Sequence, residues 1–414
     1  MSSATTAAVS REGYGLVTFL VFGMFFMFGM TTDAVGEIIS IARGELGITN
    51  TQAAAFHWAT MVAIAFSGVA LGFLSDKIGR KRTIVLGLSL YGIASALFFA
   101  GTSFRLYTLL LFVSGFAIGI FKTAGLAVIG DISSSTSDHT KKMNAVEGFF
   151  GVGAIVGPAL VVFLDQSGMS WRWLYIIAAM FCAGMVLAMA RTSFPPTAGT
   201  GEEKPGLTHT LSLMRSPHAL GFSLAIALYV ASEVAIFVWL PTFLENFTAE
   251  GMTGFFAAYA VMIFFVLRAG GRFLGVAVLS RFDWKPVLAL FTGIIFLCFA
   301  GSMAGGQTAA VYLLPLSGLF MSMIYPTLNS KAISCYGKSD HGAVAGVTLF
   351  FTAASAALAP LAMAFVSDRF GGGDLRIGFM LATGFSLLLF AGCVFNLLRN
   401  PAGPALERAD VLEY

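Results

Sequence analysis

The chain has 414 residues, 57% of them hydrophobic and 11% charged, with a net charge of +3. A soluble domain carries roughly a quarter charged residues, so a composition this apolar excludes a single water-soluble core and makes lipid the solvent. The small net charge does not suggest nucleic acid as a partner, and none is expected. The apolar runs are long and continuous rather than short and alternating, which excludes a barrel and leaves helices as the spanning elements.

A crossing needs about 20 apolar residues. Windows of that size predict twelve helices, at 15–41, 52–75, 83–101, 106–131, 143–163, 171–190, 218–243, 253–277, 286–303, 308–333, 342–366 and 376–398. The first window is longer than the apolar stretch of a secretory leader and no cleavage site follows it, so it is read as a retained helix. The stretch 191–217 is polar and carries Pro195, Pro196, Gly199, Gly201 and Pro205, a linker composition. It divides the chain into an N-terminal six-helix bundle (1–190), a cytoplasmic linker (191–217) and a C-terminal six-helix bundle with a short tail (218–414).

Lys and Arg concentrate in cytoplasmic loops. With the N-terminus inside, fifteen of the 24 basic residues fall in cytoplasmic segments, among them Lys77, Arg80, Lys81 and Arg82, and five fall outside: Arg43, Arg105, Arg172, Arg369 and Arg376. The bias places both termini in the cytoplasm. Cys182, Cys298, Cys335 and Cys393 lie in or beside apolar runs without metal-ligand spacing and read as free thiols.

The halves repeat at an offset of about 200. Gly68 to Asp76 matches Gly271 to Leu279, Gly157-Pro158 matches Ala359-Pro360, and Asp33 falls opposite Glu233. Two halves related by a parallel repeat are a transporter plan, with the solute site expected between them near the midplane. Gly337-Lys338-Ser339 lacks the first glycine of a phosphate-binding loop, which argues against ATP as the driver.

Charges within the spans carry the candidate chemistry, because each costs about 2.5–3.5 kcal/mol to insert. Counting ~1.5 Å per residue, Asp33 sits roughly 7 Å outward of the middle of helix 1, Lys122 about 6 Å inward on helix 4, and Glu147 about 9 Å inward on helix 5. Lys122 and Glu147 match in depth, as either a structural or a substrate-reading pair. Asp33 is left without an obvious basic partner and is the first candidate for a coupled proton, with Glu37 one turn outward and His57 on helix 2 as further titratable groups. The bland alternatives are a hydrated vestibule carboxylate for Asp33, an interfacial position for Glu37 and an interface cap for His57. Glu233 on helix 7 and Arg268 on helix 8 lie at similar depth and form a candidate pair, while Arg272 is near a helix end and snorkels. Trp239, Tyr325 and Asn329 complete the candidate solute contacts. The chain shows no nucleophile–base or metal constellation, so no enzyme, cofactor or metal is expected.

The loop Gly72-Phe-Leu-Ser-Asp76-Lys77-Ile-Gly79-Arg80-Lys81-Arg82 is the most specific motif. It can be a solvated basic turn that only sets topology, or a cluster that latches one conformation. Its full spacing resembles the signature loop of the major facilitator superfamily, and that resemblance implies a charge latch of Gly72, Asp76, Gly79, Arg80 and Asp131 on an all-α fold of twelve transmembrane helices in two pseudo-symmetric bundles. The second copy departs, with Leu279 in place of the acid. Within that superfamily the chain is similar to the fucose–galactose–glucose:proton symporters, through Leu228-Tyr229-Val230-Ala-Ser-Glu233-Val234, Phe320-Met-Ser-Met-Ile-Tyr325-Pro326-Thr327, Pro360 and Phe365-Val366-Ser367-Asp368. The resemblance implies a proton or sugar role for Asp33 and a sugar-hydroxyl contact at Glu147. Lys122 departs from it, since the family pattern has an acid there, and the solute is accordingly neutral or acidic.

The expectation is a secondary active transporter, a proton-coupled symporter of a sugar or sugar-like solute, monomeric, in a bacterial inner membrane. The rival is a proton-coupled drug or metabolite efflux antiporter, suggested by Gly153-Ala-Ile-Val-Gly157-Pro158, half of an antiporter signature whose closing glycines are replaced by Val161-Val162.

Overall fold

A computed structural model describes residues 14–70, 77–132, 136–194, 213–336 and 341–406. Among these, every regular element is helical: α1 Gly15–Thr32, α2 Val35–Leu46, α3 Asn50–Ala53, α4 Ala55–Ala70, α5 Arg80–Ala96 with a 3₁₀ turn Leu97–Phe99, α6 Phe104–Asp131, α7 Thr136–Gln166, α8 Trp173–Ala190, α9 Pro217–Leu244, α10 Gly251–Ala258, α11 Ala260–Leu279, α12 Trp284–Met321, α13 Ile324–Ser334, α14 His341–Gly371 and α15 Leu375–Arg399. Ten helices among the described residues are long and apolar enough to cross a membrane, and one of these, Trp284–Ser334, is 51 residues long. Gly306, at φ 66° and ψ −158°, breaks that stretch into two crossings, in a backbone region open essentially to glycine alone. With α4, of which 16 residues are described, the crossings reach twelve.

Several spans are discontinuous. The first window divides at Asp33–Ala34 into α1 and α2, the eighth at Tyr259 into α10 and α11, and the tenth at Ser322–Met323 into α12 and α13. In helix 1 the break has a local cause. Thr31 Oγ1 donates to the Met27 carbonyl at 3.0 Å and Thr32 Oγ1 to the Phe28 carbonyl at 2.8 Å, so side-chain hydroxyls compete with the main chain for helical acceptors. Irregular backbone at membrane depth is tolerated where protein or a polar cavity satisfies it.

The chain forms two compact units. Unit 1 comprises residues 1–38 and 59–201, and unit 2 residues 39–58 and 202–414. In unit 1, α1 and α7 pack backbone against backbone: a Cβ at Gly153 would strike the Phe26 carbonyl and the Met30 amide, and one at Gly157 the Met30 carbonyl. Close approach of small residues is how helices associate where lipid supplies no hydrophobic drive. One end of unit 1 is filled by the buried rings of Phe98, Tyr107, Trp171 and Tyr175, with Phe98 and Tyr175 stacked at 3.7 Å between centroids. In unit 2, α3 rests on α14. Asn50 Nδ2 donates to the Gly373 carbonyl at 2.9 Å and the Thr51 amide to Asp368 Oδ2 at 2.7 Å, while Arg43 pairs with Glu245. All four cysteines are free.

Candidate functional site

Unit 1 gathers polar groups around the break in helix 1. Asp33 caps α1, its amide bonded to the Gly29 carbonyl at 3.1 Å, and its residue is only 8% exposed. Thr32 Oγ1 lies 3.3 Å from Asp33 Oδ1. Tyr91 on α5 donates its hydroxyl to Thr31 Oγ1 at 2.7 Å, its ring packed edge-on to Phe121. Lys122 on α6 is half-buried and holds its ammonium 4.7 Å from the centroid of the Phe28 ring, a cation–π contact. The carboxylates whose charge acts on it are Glu147 first and Asp33 second. Among the described residues, no carboxylate reaches ion-pair distance of this ammonium. Glu147 on α7 is exposed, and Glu37 on α2 is half-buried, facing the charge of Asp165.

Unit 2 holds a second cluster. Arg268 Nε on α11 lies 2.6 Å from Glu233 Oε1 on α9, and this oxygen is sealed from solvent. The hydroxyl of Tyr229, one turn before Glu233, lies within the electrostatic reach of both partners, and its ring tilts against Tyr325 at 6.3 Å. Tyr325 opens α13 directly after the break in helix 10. Asn329, one turn further, accepts from Thr348 Oγ1 at 2.9 Å. Trp239 stands apart from this cluster: it is fully buried, with Nε1 donating to the Pro360 carbonyl at 3.0 Å. It packs α9 on α14 rather than presenting a ring to a cavity.

His57 is also buried, with Nε2 3.0 Å from the Ala356 carbonyl and its ring edge-on to Phe237 at 5.9 Å. Both partners belong to unit 2. Of the latch residues, Arg80 is 5% exposed and its Nε lies 3.0 Å from Asp131 Oδ2. Gly79, at φ 92°, supplies the left-handed turn that starts α5. Beside it, Lys81 Nζ donates to the carbonyls of Thr192 at 3.0 Å and Ala190 at 3.4 Å, tying α5 to the end of α8. Gly72 and Asp76 lie outside the described residues, as does most of the linker.

Sequence reasoning did not single out Thr31, Thr32 and Tyr91, nor the Arg43–Glu245 pair. Threonines and tyrosines in an apolar span carry no charge signal, and only helix register brings Tyr91 to Thr31. Among the described residues no group of His, Cys, Asp and Glu could hold a metal ion.

The profile of the Major Facilitator Superfamily matches residues 15–360. The chain is 26% identical over 382 residues to a glucose/galactose transporter of Brucella abortus, covering 88% of this chain and 91% of that protein. It is 26% identical over 389 residues to the L-fucose-proton symporter of Escherichia coli, covering 85% and 87%. Among solved structures, a mutant of the nucleoside transporter NupG superposes with a TM-score of 0.75 at 16% identity, covering 92% of this chain and 99% of that one, a likeness of fold.

Proposed function

Because this chain belongs to the Major Facilitator Superfamily, we propose that it carries a sugar or sugar-like solute across the membrane together with a proton, by alternating access. It is an integral membrane protein whose twelve crossings supply the fold. The reading takes both termini as cytoplasmic, the membrane as a bacterial inner membrane and the two six-helix bundles as the working parts. Relatives named as a glucose/galactose transporter and an L-fucose-proton symporter support the solute class and the coupling.

The observation that carries the proposal is Asp33. It is a carboxyl buried within a span, set at a helix break beside Thr31, Thr32 and Tyr91, with a cation, Lys122, on the neighbouring helix. Such a group is expensive to keep in a bilayer unless transport uses it. Asp33 takes the proton. In unit 1 Glu147 contacts the solute; in unit 2 Tyr325 and Asn329 are the candidate solute contacts, and the Glu233–Arg268 pair orders that cluster. One proton crossing 100 mV supplies about 2.3 kcal/mol, enough for roughly 50-fold accumulation of a neutral solute.

The test uses proteoliposomes with an inward proton gradient. Wild-type protein accumulates the solute against its gradient. Asp33→Asn abolishes accumulation while leaving solute exchange across the membrane at equal concentrations. Uphill uptake retained by Asp33→Asn removes Asp33 from coupling, and protein that transports no sugar at all overturns the proposal.

A further inference from the structure

We propose that the solute carries a carboxylate, as a uronic or aldonic acid does, and that Lys122 is the residue that reads it. The inference rests on the sugar–proton symport proposed above and narrows its substrate.

The geometry is that of a cation held ready. The ammonium of Lys122 sits within a crossing, over the face of Phe28, which is itself tilted against Phe150 at 5.0 Å. Phe28 supplies an apolar wall and no countercharge. The two carboxylates that act on Lys122 are on different helices, Glu147 on α7 and Asp33 at the end of α1. A lysine stem is flexible enough to close on a neighbouring carboxylate when nothing prevents it, yet this one completes an ion pair with neither, and among the described residues its donors remain available to a ligand. Unit 2 treats its own intramembrane cation differently, bringing Arg268 to 2.6 Å from Glu233. The contrast separates a cation whose charge is matched within the fold from one whose match arrives with the solute.

The same arrangement couples solute to proton. Among the described residues the titratable groups around the site are Asp33, Glu37, Tyr91, Lys122 and Glu147, with Asp165 facing Glu37 and with Cys182 and Tyr175 beside Tyr91. A solute carboxylate bound at Lys122 repels an ionised Asp33, so its binding favours Asp33 carrying a proton, and by linkage the proton favours the solute. One anion and one proton then cross together with no net charge, whereas a neutral sugar with a proton would carry one positive charge inward.

The experiment compares matched probes, D-galactose with D-galacturonate and D-glucose with D-glucuronate and D-gluconate, on the full chain in proteoliposomes. In wild-type protein at least one acid is expected to bind more tightly than its neutral partner, with uptake that generates no current. Lys122→Gln is expected to weaken that acid at least tenfold while changing the neutral partner less than threefold, and Lys122→Arg to restore the acid. Neutral sugars bound as tightly as acids, current-generating uptake of the acid, or equal losses for both classes in Lys122→Gln each overturn the inference and leave sugar symport standing. Failure to bind any of the five probes counts against both. If Lys122→Gln does not fold, the wild-type preference and current decide.

Discussion

His57 donates its Nε2–H to the carbonyl oxygen of Ala356 at 3.0 Å, and Ala356 is the residue whose carbonyl loses its helical donor to Pro360 four positions on. A proline inside a helix has no N–H to give, and a carbonyl can only accept, so the contact fixes the proton of the neutral imidazole on Nε2. His57 is therefore a repair to the main chain of α14. Replacing it by Ala leaves a buried acceptor unpaired, and a loss of about 1–3 kcal/mol is expected, read as a lowered unfolding midpoint in detergent. Pro360→Ala returns the missing N–H, so His57→Ala in that background should lose clearly less. Equal losses in the two backgrounds would show that the bond contributes nothing.

Arg268→Met strands the buried carboxylate of Glu233. Breaking a buried pair by removing one partner costs about 3–5 kcal/mol. The lower end applies here, because the Arg268 side chain keeps 24% of its exposure. Removing both charges, as Glu233→Gln with Arg268→Gln, should recover most of the stability. Solute binding by this stable double variant then tests the second cluster apart from folding.

Gly153→Ala and Gly157→Ala place a methyl group against main-chain atoms of α1, which cannot rotate away. Overpacking of this kind costs about 1–3 kcal/mol. Gly148 and Gly151 lie on the same helix with nothing within 4 Å of the added atom. Their Ala variants should be neutral or gain up to about 1 kcal/mol of helix propensity. Thermal unfolding of the four variants in parallel checks the contrast.

Arg80→Lys keeps the charge beside Asp131 but loses the Nε–H that lies 3.0 Å from its carboxylate. If this pair is a latch, transport slows by about tenfold, equivalent to ~1.4 kcal/mol on the barrier, while equilibrium solute binding is unchanged. A proportional loss of binding would make the pair a plain support for the helix ends.

The crossings were legible in the sequence because a bilayer admits so few alternatives: long apolar runs, a polar divide and biased basic loops. The approach of Glu233 to Arg268 was legible for the same reason, since two opposite charges at matching depth have nowhere else to turn. The breaks at Asp33, Tyr259 and Ser322–Met323 were not, because they depend on which hydroxyl or neighbouring helix satisfies the freed carbonyls. The partner of His57 was not legible for a related reason. That partner is a carbonyl oxygen, which every residue carries and no sequence letter marks. Lys122 and Glu147 match in depth yet remain apart, because depth says nothing about azimuth around a helix.

The glycine seam between α1 and α7 bears on everything those helices carry. Asp33 rides at the end of one and Glu147 on the other, and a join in which carbonyls nest against bare Cα positions leaves neither helix room to slide or roll. The two carboxyl groups therefore behave as fixtures on a single beam, a ruler with a constant interval. What can travel along that ruler is the long arm of Lys122, so a movement of that cation inside unit 1 is a swing of one side chain over stationary posts.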